Sequence, residues 1–193
     1  MSILPQNHVK PSYKDGVSAQ FFDEPEKRWN FVPIHKKYQR EHFDCGYPVL
    51  NDYLKKYARQ NHEKGIAKTF VAISQSNALK IDGFYTVSAS VIEFASLPES
   101  YQKGMPTYPI PAILIGKLAV DKSVKRQGLG GELLVDAIFR AVKAAQEIGI
   151  FAVRVDAIDL QAKEFYLKYE FIPFQDKALS LFLPMKTILQ QFI

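Results

Sequence analysis

The chemistry in this sequence is concentrated in one stretch, Leu118-Ala119-Val120-Asp121-Lys122-Ser123-Val124-Lys125-Arg126-Gln127-Gly128-Leu129-Gly130-Gly131. An apolar run enters a glycine-rich turn, and a long helical pattern leaves it. The first backbone N–H groups of a helix have no intrahelical partner and carry partial positive charge. Gly128, Gly130 and Gly131 have no side chain to hold a ligand away from that backbone. Lys125 and Arg126 add mobile cations. Such an arrangement suits a pyrophosphate. It is not a P-loop, because no Gly-Lys-Ser/Thr closes it, and its glycine spacing is not the dinucleotide fingerprint. A glycine-rich turn with no ligand is the alternative reading of the same residues.

Other reactive side chains form no constellation. His8, His35, His42 and His62 lack metal spacing and read as surface or loop residues. Cys45 is the single cysteine, has no evident base partner and reads as structural; it excludes an internal disulfide and a cysteine zinc site. Asp156 reads as a strand end and Asp159 as a helix cap rather than as a carboxylate pair. Ser88, Ser90 and Ser96 have no nucleophile-elbow context. Tyr166, beside Phe165 and Tyr169, reads by spacing alone as a core aromatic. The net charge of +5 permits a polyanionic partner without requiring one. Lys36, Lys37, Arg40, Lys55, Lys56, Arg59, Lys64 and Lys68 cluster in sequence, as a solvated face or as a contact to a nucleic-acid backbone. Apolar runs are too short to span a bilayer and the first residues lack a signal-peptide core, so a soluble intracellular protein is expected.

These residues need a scaffold. Apolar content of 47% suits an ordinary globular chain. Residues 1–28 show scattered prolines and no period and read as an N-terminal extension, with one domain over 29–193. Strands are expected at 29–34, 69–74, 79–91, 110–120, 151–155, 171–174 and 179–183. Helices are expected at 47–63, 128–148 and 160–169. The 97–109 segment reads as a loop, and the apolar 110–120 run as a strand buried on both faces. The order β-α-β-β-β-α-β-α-β-β indicates an α/β or α+β sheet with helices on its faces.

With these residues in view, the chain resembles the GNAT N-acetyltransferases. Lys125-Arg126-Gln127-Gly128-Leu129-Gly130 is similar to their Arg/Gln-x-x-Gly-x-Gly/Ala pyrophosphate loop, with Lys in the first place. A narrower resemblance is to the GNAT toxins of bacterial type II toxin–antitoxin pairs. It rests on Phe43-Asp44-Cys45-Gly46 with Leu50-Asn51, Leu54 and Ala58; on Thr69-Phe70-Val71-Ala72; on Gly116-Lys117-Leu118-Ala119-Val120-Asp121; on Asp156-Ala157 with Ala162, Phe165-Tyr166 and Phe171; and on Leu181-Phe182-Leu183-Pro184-Met185. It covers about 29–187. Glu170 stands where the family has Gly.

The resemblance implies a GNAT fold, with a mixed, largely antiparallel sheet, helices on both faces, and fourth and fifth strands (110–120 and 151–155, β4 and β5) splayed to admit acetyl-CoA. It implies that Leu118, Ala119, Val120, Lys125, Arg126, Gln127, Gly128, Leu129, Gly130 and Gly131 hold the cosubstrate, with no metal. Tyr166 is implied as the acid that protonates the departing thiolate. No general base stands out. An α-amine, near 7.7–8.0, is already partly neutral at pH 7, unlike a lysine amine, which favours aminoacyl-tRNA as acceptor. Lys36, Lys37, Arg40, Lys55, Arg59 and Lys68 are the expected tRNA contacts. A cytoplasmic homodimer with a ribbon-helix-helix antitoxin and no membrane partner is expected. The alternatives are a stand-alone enzyme acting on a small amine or a protein N-terminus, and a non-catalytic acyl-CoA-binding module.

Overall fold

A computed structural model describes residues 28–192. The expected extension, Arg28 apart, and His8 lie outside the described residues. Seven strands form one sheet in the order β1-β2-β3-β4-β5-β7-β6. They are β1 (Trp29–Pro33), β2 (Lys68–Ser74), β3 (Ile81–Ile92), β4 (Ile110–Val120), β5 (Ala152–Asp156), β6 (Ile172–Pro173) and β7 (Ser180–Pro184). Every pairing is antiparallel except β4 with β5.

Helices cover both faces. On one face lie α4 (Leu129–Ala145), α5 (Leu160–Leu167) and α6 (Met185–Phe192). Leu129, Leu133, Leu134, Ala137, Ile138 and Ala141 recur at three and four and are buried against Tyr85, Ile115, Val153 and Val155. Full burial of each large side chain contributes about 1.5–3 kcal/mol. Gly83 makes the close approach possible, because a Cβ there would lie 2.8 Å from a Leu133 methyl. On the other face, α1 (Pro48–Asp52) and α2 (Ala58–Glu63) flank a π-helical turn, Tyr53–Tyr57. Leu54 and Ala58 seal this layer onto Val71, Phe84 and Ala119. A third cluster on the same face joins Leu97 and Ile110 to Phe182.

Several expectations need correction. The 47–63 helix carries the π-turn. The 97–109 loop contains a short helix, α3 (Glu99–Gln102). The C-terminal α6 lies outside the expected elements; among its described side chains Met185 and Ile188 are buried. The 171–174 strand shrinks to two residues. β4 has buried residues on both faces, Ile115 toward α4 and Ile110, Ala112 and Ala119 on the opposite side, but the residues between them are half-covered or exposed.

Candidate active site

The site begins where β4 outruns its neighbour. Pairing with β5 runs from Ala112↔Ala152 to Ile115↔Val155 and stops, while β4 continues to Val120. At the same point the register with β3 slips: Val87 faces Ile115 and Thr86 faces Lys117, leaving Gly116 as an extra residue. Side-chain direction alternates along a strand, so one extra residue reverses the parity. Ile113 and Ile115 point toward α4 before the bulge, and Leu118 and Val120 point there after it. Lys117 and Ala119 turn to the opposite face. The gap left by β5 is a cavity of about 400 Å³. Leu118, Val120, Lys125, Gly130, Phe165 and Tyr166 line it.

Asp121 then fixes the turn. Its N–H donates to the Asp82 carbonyl at 2.8 Å. Its carboxylate accepts from the Ser123 N–H at 2.9 Å and from the Asp44 N–H at 2.9 Å. These bonds hold its carboxyl below the ordinary value against the opposing effect of burial. Asp82 is itself the extra residue of a second bulge and accepts from the Trp29 indole at 3.1 Å and Lys80 at 3.0 Å. Beyond this anchor the backbone takes left-handed geometry at Arg126 (φ 63°) and Gly128 (φ 91°) before α4 starts. Among the described residues, the amides of 126–130 make no hydrogen bond. A run of unsatisfied N–H groups at a helix start is an anion cradle. Lys125 and Arg126 flank it, and Lys168 faces it from beyond the end of α5 across a second cavity.

The expected cosubstrate residues divide. Leu118, Val120, Lys125, Arg126, Gly128 and Gly130 face these cavities. Ala119 lines the cavity edge, but its side chain packs with Phe84 on the other face. The side chain of Gln127 turns away: its Oε1 accepts from Arg28 at 3.0 Å and it lines a separate polar cavity. The Leu129 side chain is core, so only its amide is available. Gly131 also lines the second cavity, and a Cβ there would collide with the Tyr169 hydroxyl.

Tyr166 stands on α5, which Asp159 caps by accepting from the Ala162 N–H at 2.8 Å. The ring is 6% exposed and packs on Phe165 and Phe171. Burial first, and the Asp156 charge second, push its phenol well above the ordinary value. Glu170, just past α5, adopts φ 63°, the conformation that explains a glycine at this place.

The 43–51 segment serves this site rather than a separate one. The Lys122 N–H donates to the Asp44 carbonyl at 2.8 Å while Asp44 donates to Asp121. The Asp44 carboxylate accepts from Lys122 Nζ at 2.8 Å, Gly46 N–H at 2.8 Å and Asn51 Nδ2 at 2.9 Å, which holds it far below the ordinary carboxylate range. Gly46 takes φ 92° to complete the turn. Cys45 is buried beneath it, and burial raises its thiol. Tyr47 reaches across the cleft, its hydroxyl donating to Asp159 at 2.6 Å.

The basic residues are spread over the β1–α1 connection (Lys36, Lys37, Arg40), the helical layer (Lys55, Lys56, Arg59) and the start of β2 (Lys68). Lys36 and Lys37 are exposed and Arg40 is half-covered, its Nε buried without a partner. Lys55 is half-covered, Lys56 pairs with Asp52, and Arg59 pairs with Glu63 at 2.6 Å. Lys68 donates to the His62 carbonyl. His62 is not a loop residue: on α2, its Nδ1 takes the Thr69 N–H at 3.0 Å, joining the helix to β2. Residues that sequence reasoning missed are Lys117, whose amine sits 4.2 Å over the Tyr53 ring and whose pKa burial lowers, and the Arg154–Asp156 pair. Only the bulge places Lys117, and no pattern in the sequence marks a bulge at Gly116. Among the described residues, no group could hold a metal and no helix is long and apolar enough to cross a membrane.

No protein-family model matches the chain. Over 144 residues it is 38% identical to a tRNA-acetylating toxin of Mycobacterium tuberculosis (strain ATCC 25618 / H37Rv), covering 75% of this chain and 84% of that protein. Among solved structures, a tyrosine-to-phenylalanine mutant of KacT superposes with a TM-score of 0.82 at 32% identity, over 86% of this chain and 100% of that one. AtaT complexed with acetyl-methionyl-tRNAfMet gives 0.80 at 30% identity, over 86% and 99%. An AtaT tyrosine-to-phenylalanine mutant bound to the C-terminus of the antitoxin AtaR and acetyl-CoA gives 0.74 at 26% identity, over 86% and 98%.

Proposed function

The chain belongs to the tRNA-acetylating GNAT toxins of type II toxin–antitoxin systems, and on that premise we propose that it moves the acetyl group of acetyl-CoA onto the α-amine of aminoacyl-tRNA, so blocking translation. The observation that carries this reading is the convergence of three features at one gap: the unpaired end of β4, the 126–130 amides that make no hydrogen bond among the described residues, and the Tyr166 phenol.

The 126–130 amides and Lys125 take the pyrophosphate. The 116–120 backbone, left without a strand partner toward β5, hydrogen-bonds the pantetheine through Leu118 and Val120, where a donor aimed at the thioester oxygen stabilises the tetrahedral intermediate. The amine attacks, the C–S bond breaks, and Tyr166 gives its proton to the thiolate as it forms. Burial keeps the phenol protonated across the working range but makes it a weaker acid, so its proton moves only as negative charge develops on sulfur during C–S cleavage. Of the expected set, Lys36, Lys37, Arg40 and Lys55 have no side-chain ion pair among the described residues and are the stronger tRNA contacts; Arg59 pairs with Glu63 and Lys68 donates to the His62 carbonyl. A homodimeric state, a cytoplasmic setting and a ribbon-helix-helix antitoxin belong to the same proposal; the complex of the related AtaT with the C-terminus of its antitoxin AtaR supports the antitoxin partner alone.

Acetyl transfer from radiolabelled acetyl-CoA to a mixed pool of charged tRNAs tests the reading. Wild type is expected to label the aminoacyl group, and Tyr166→Phe to lose about 10²–10⁴-fold in kcat. No label on tRNA, with thiol released in the presence of small amines, would replace it with a stand-alone enzyme.

A further inference from the structure

The face of the sheet opposite α4 and α5 carries two apolar patches, one under the α1–α2 layer and one around Leu97 and Phe182. Strand alternation puts Ser88, Lys117, Arg154 and Asp156 on this face. Asp156 is the last residue of β5, one step past the final pair with β4. Its side chain is 46% exposed, yet it is fixed. Arg154 Nη2 donates to Oδ1 at 2.8 Å and to Oδ2 at 3.0 Å, and Ser180 Oγ donates to Oδ1 at 2.6 Å. Arg154 is anchored in turn, with Nη1 on the Val91 carbonyl at 3.0 Å and its guanidinium over Phe174. A carboxylate offers about four acceptor positions, and three are taken. The open one is on Oδ2. Asp156 therefore ends β5 where the β4–β5 pairing stops and the gap lined by Tyr166 begins.

Resting on the acetyltransferase reading above, we propose that Asp156 is the acceptor-amine site. Its Oδ2 takes one N–H of the incoming α-amine and aims the nitrogen lone pair at the thioester carbon. The C–N bond forms, and the surplus proton on nitrogen passes to the Asp156 carboxylate. Collapse of the intermediate breaks the C–S bond, and the thiolate takes the Tyr166 proton. The proton on Asp156 returns to the phenolate, so the amine has lost one hydrogen and the thiol gained one. Arg154 has a definite part. A bare carboxylate would hold the amine as unreactive ammonium, and the paired guanidinium offsets that charge. Arg154 is therefore a positioning residue, and so is Ser180.

Binding and turnover with a charged tRNA and with the same tRNA carrying the des-amino acyl group separate this role from a strand-end ion pair. Wild type is expected to bind the charged form about tenfold more tightly, the worth of one hydrogen bond to a charged group. Asp156→Asn is expected to erase that preference and lower kcat about 10²-fold, with the acetyl-CoA dissociation constant within twofold of wild type. Asp156→Glu is expected to restore part of the rate. Ser180→Ala, which leaves the Arg154 pair in place, is expected to lose threefold to tenfold. An unchanged preference in Asp156→Asn, or an unchanged rate in Ser180→Ala, overturns the proposal. A wild-type protein that acetylates no charged tRNA overturns the parent reading instead.

Discussion

Between residues 112 and 115 β4 is paired on both sides, with β3 and with β5; between 116 and 120 it is paired with β3 alone. The first half, Ala112-Ile113-Leu114-Ile115, is wholly apolar, and the second keeps Leu118, Ala119 and Val120 beside Gly116 and Lys117. The first is core: Ile115 is 1% exposed and sits among the α4 side chains. In the second, Leu118 and Val120 face the same side but line a cavity instead. The difference lies in the backbone. Where β5 departs, the β4 edge keeps hydrogen-bonding groups unsatisfied, and apolar side chains beside an open polar edge make a site for an amide-bearing ligand rather than a packed interior. One extra residue, Gly116, marks the change.

This contrast can be broken from either side. Ile115→Ala, in the sealed half, is expected to cost about 2–5 kcal/mol of stability. In denaturant titrations it should shift the midpoint while acetyl-CoA affinity of the folded protein holds; Leu118→Ala should do the opposite, weakening cosubstrate binding with a smaller stability loss. A loss of affinity in Ile115→Ala would mean that the halves are not separable.

Gly128→Ala forces a side chain into φ 91° at the cradle. The expected cost is about 1–2 kcal/mol, concentrated in acetyl-CoA affinity measured by calorimetry. Glu170→Gly should move the other way, raising stability by up to about 1 kcal/mol by relieving φ 63°, with no change in either half of β4. Thermal unfolding reads this directly.

The smallest effect is an absence. Because the folded pKa of Tyr166 lies above the ordinary phenol value near 10, the donor form is complete below that pH and is lost only above it. The rate should therefore rise as the acceptor amine loses its proton and stay level to pH 10. A fall between pH 8.5 and 9.5 would show that Tyr166 ionises early or is not the donor.

Much of this architecture was legible in the residues. The α4 pattern from Leu129 to Ala141 sets its own face, and Asp159 reads correctly as a cap because an acceptor before an apolar turn has that use. The glycine turn was legible because its chemistry is local. What escaped depends on distant partners. Gln127 lies inside the loop pattern but leaves the cradle for Arg28, a residue 99 positions away. Arg59 and Lys68 read as free cations until Glu63 and the His62 carbonyl take them. Asp156 read as a strand end, and it is one; its fixed geometry comes from Arg154 and Ser180, which only the folded sheet brings together.

The reciprocal bonds between Asp44 and the Asp121-Lys122 pair bear on how this chain can be recombined. Two segments more than seventy positions apart behave as one heritable part. A crossover placed anywhere between them, even in a loop that tolerates cutting, separates halves that fit only each other. Chimeras with a relative should keep activity when 43–51 and 117–131 come from the same parent and lose it when they do not, whatever the origin of the sequence between.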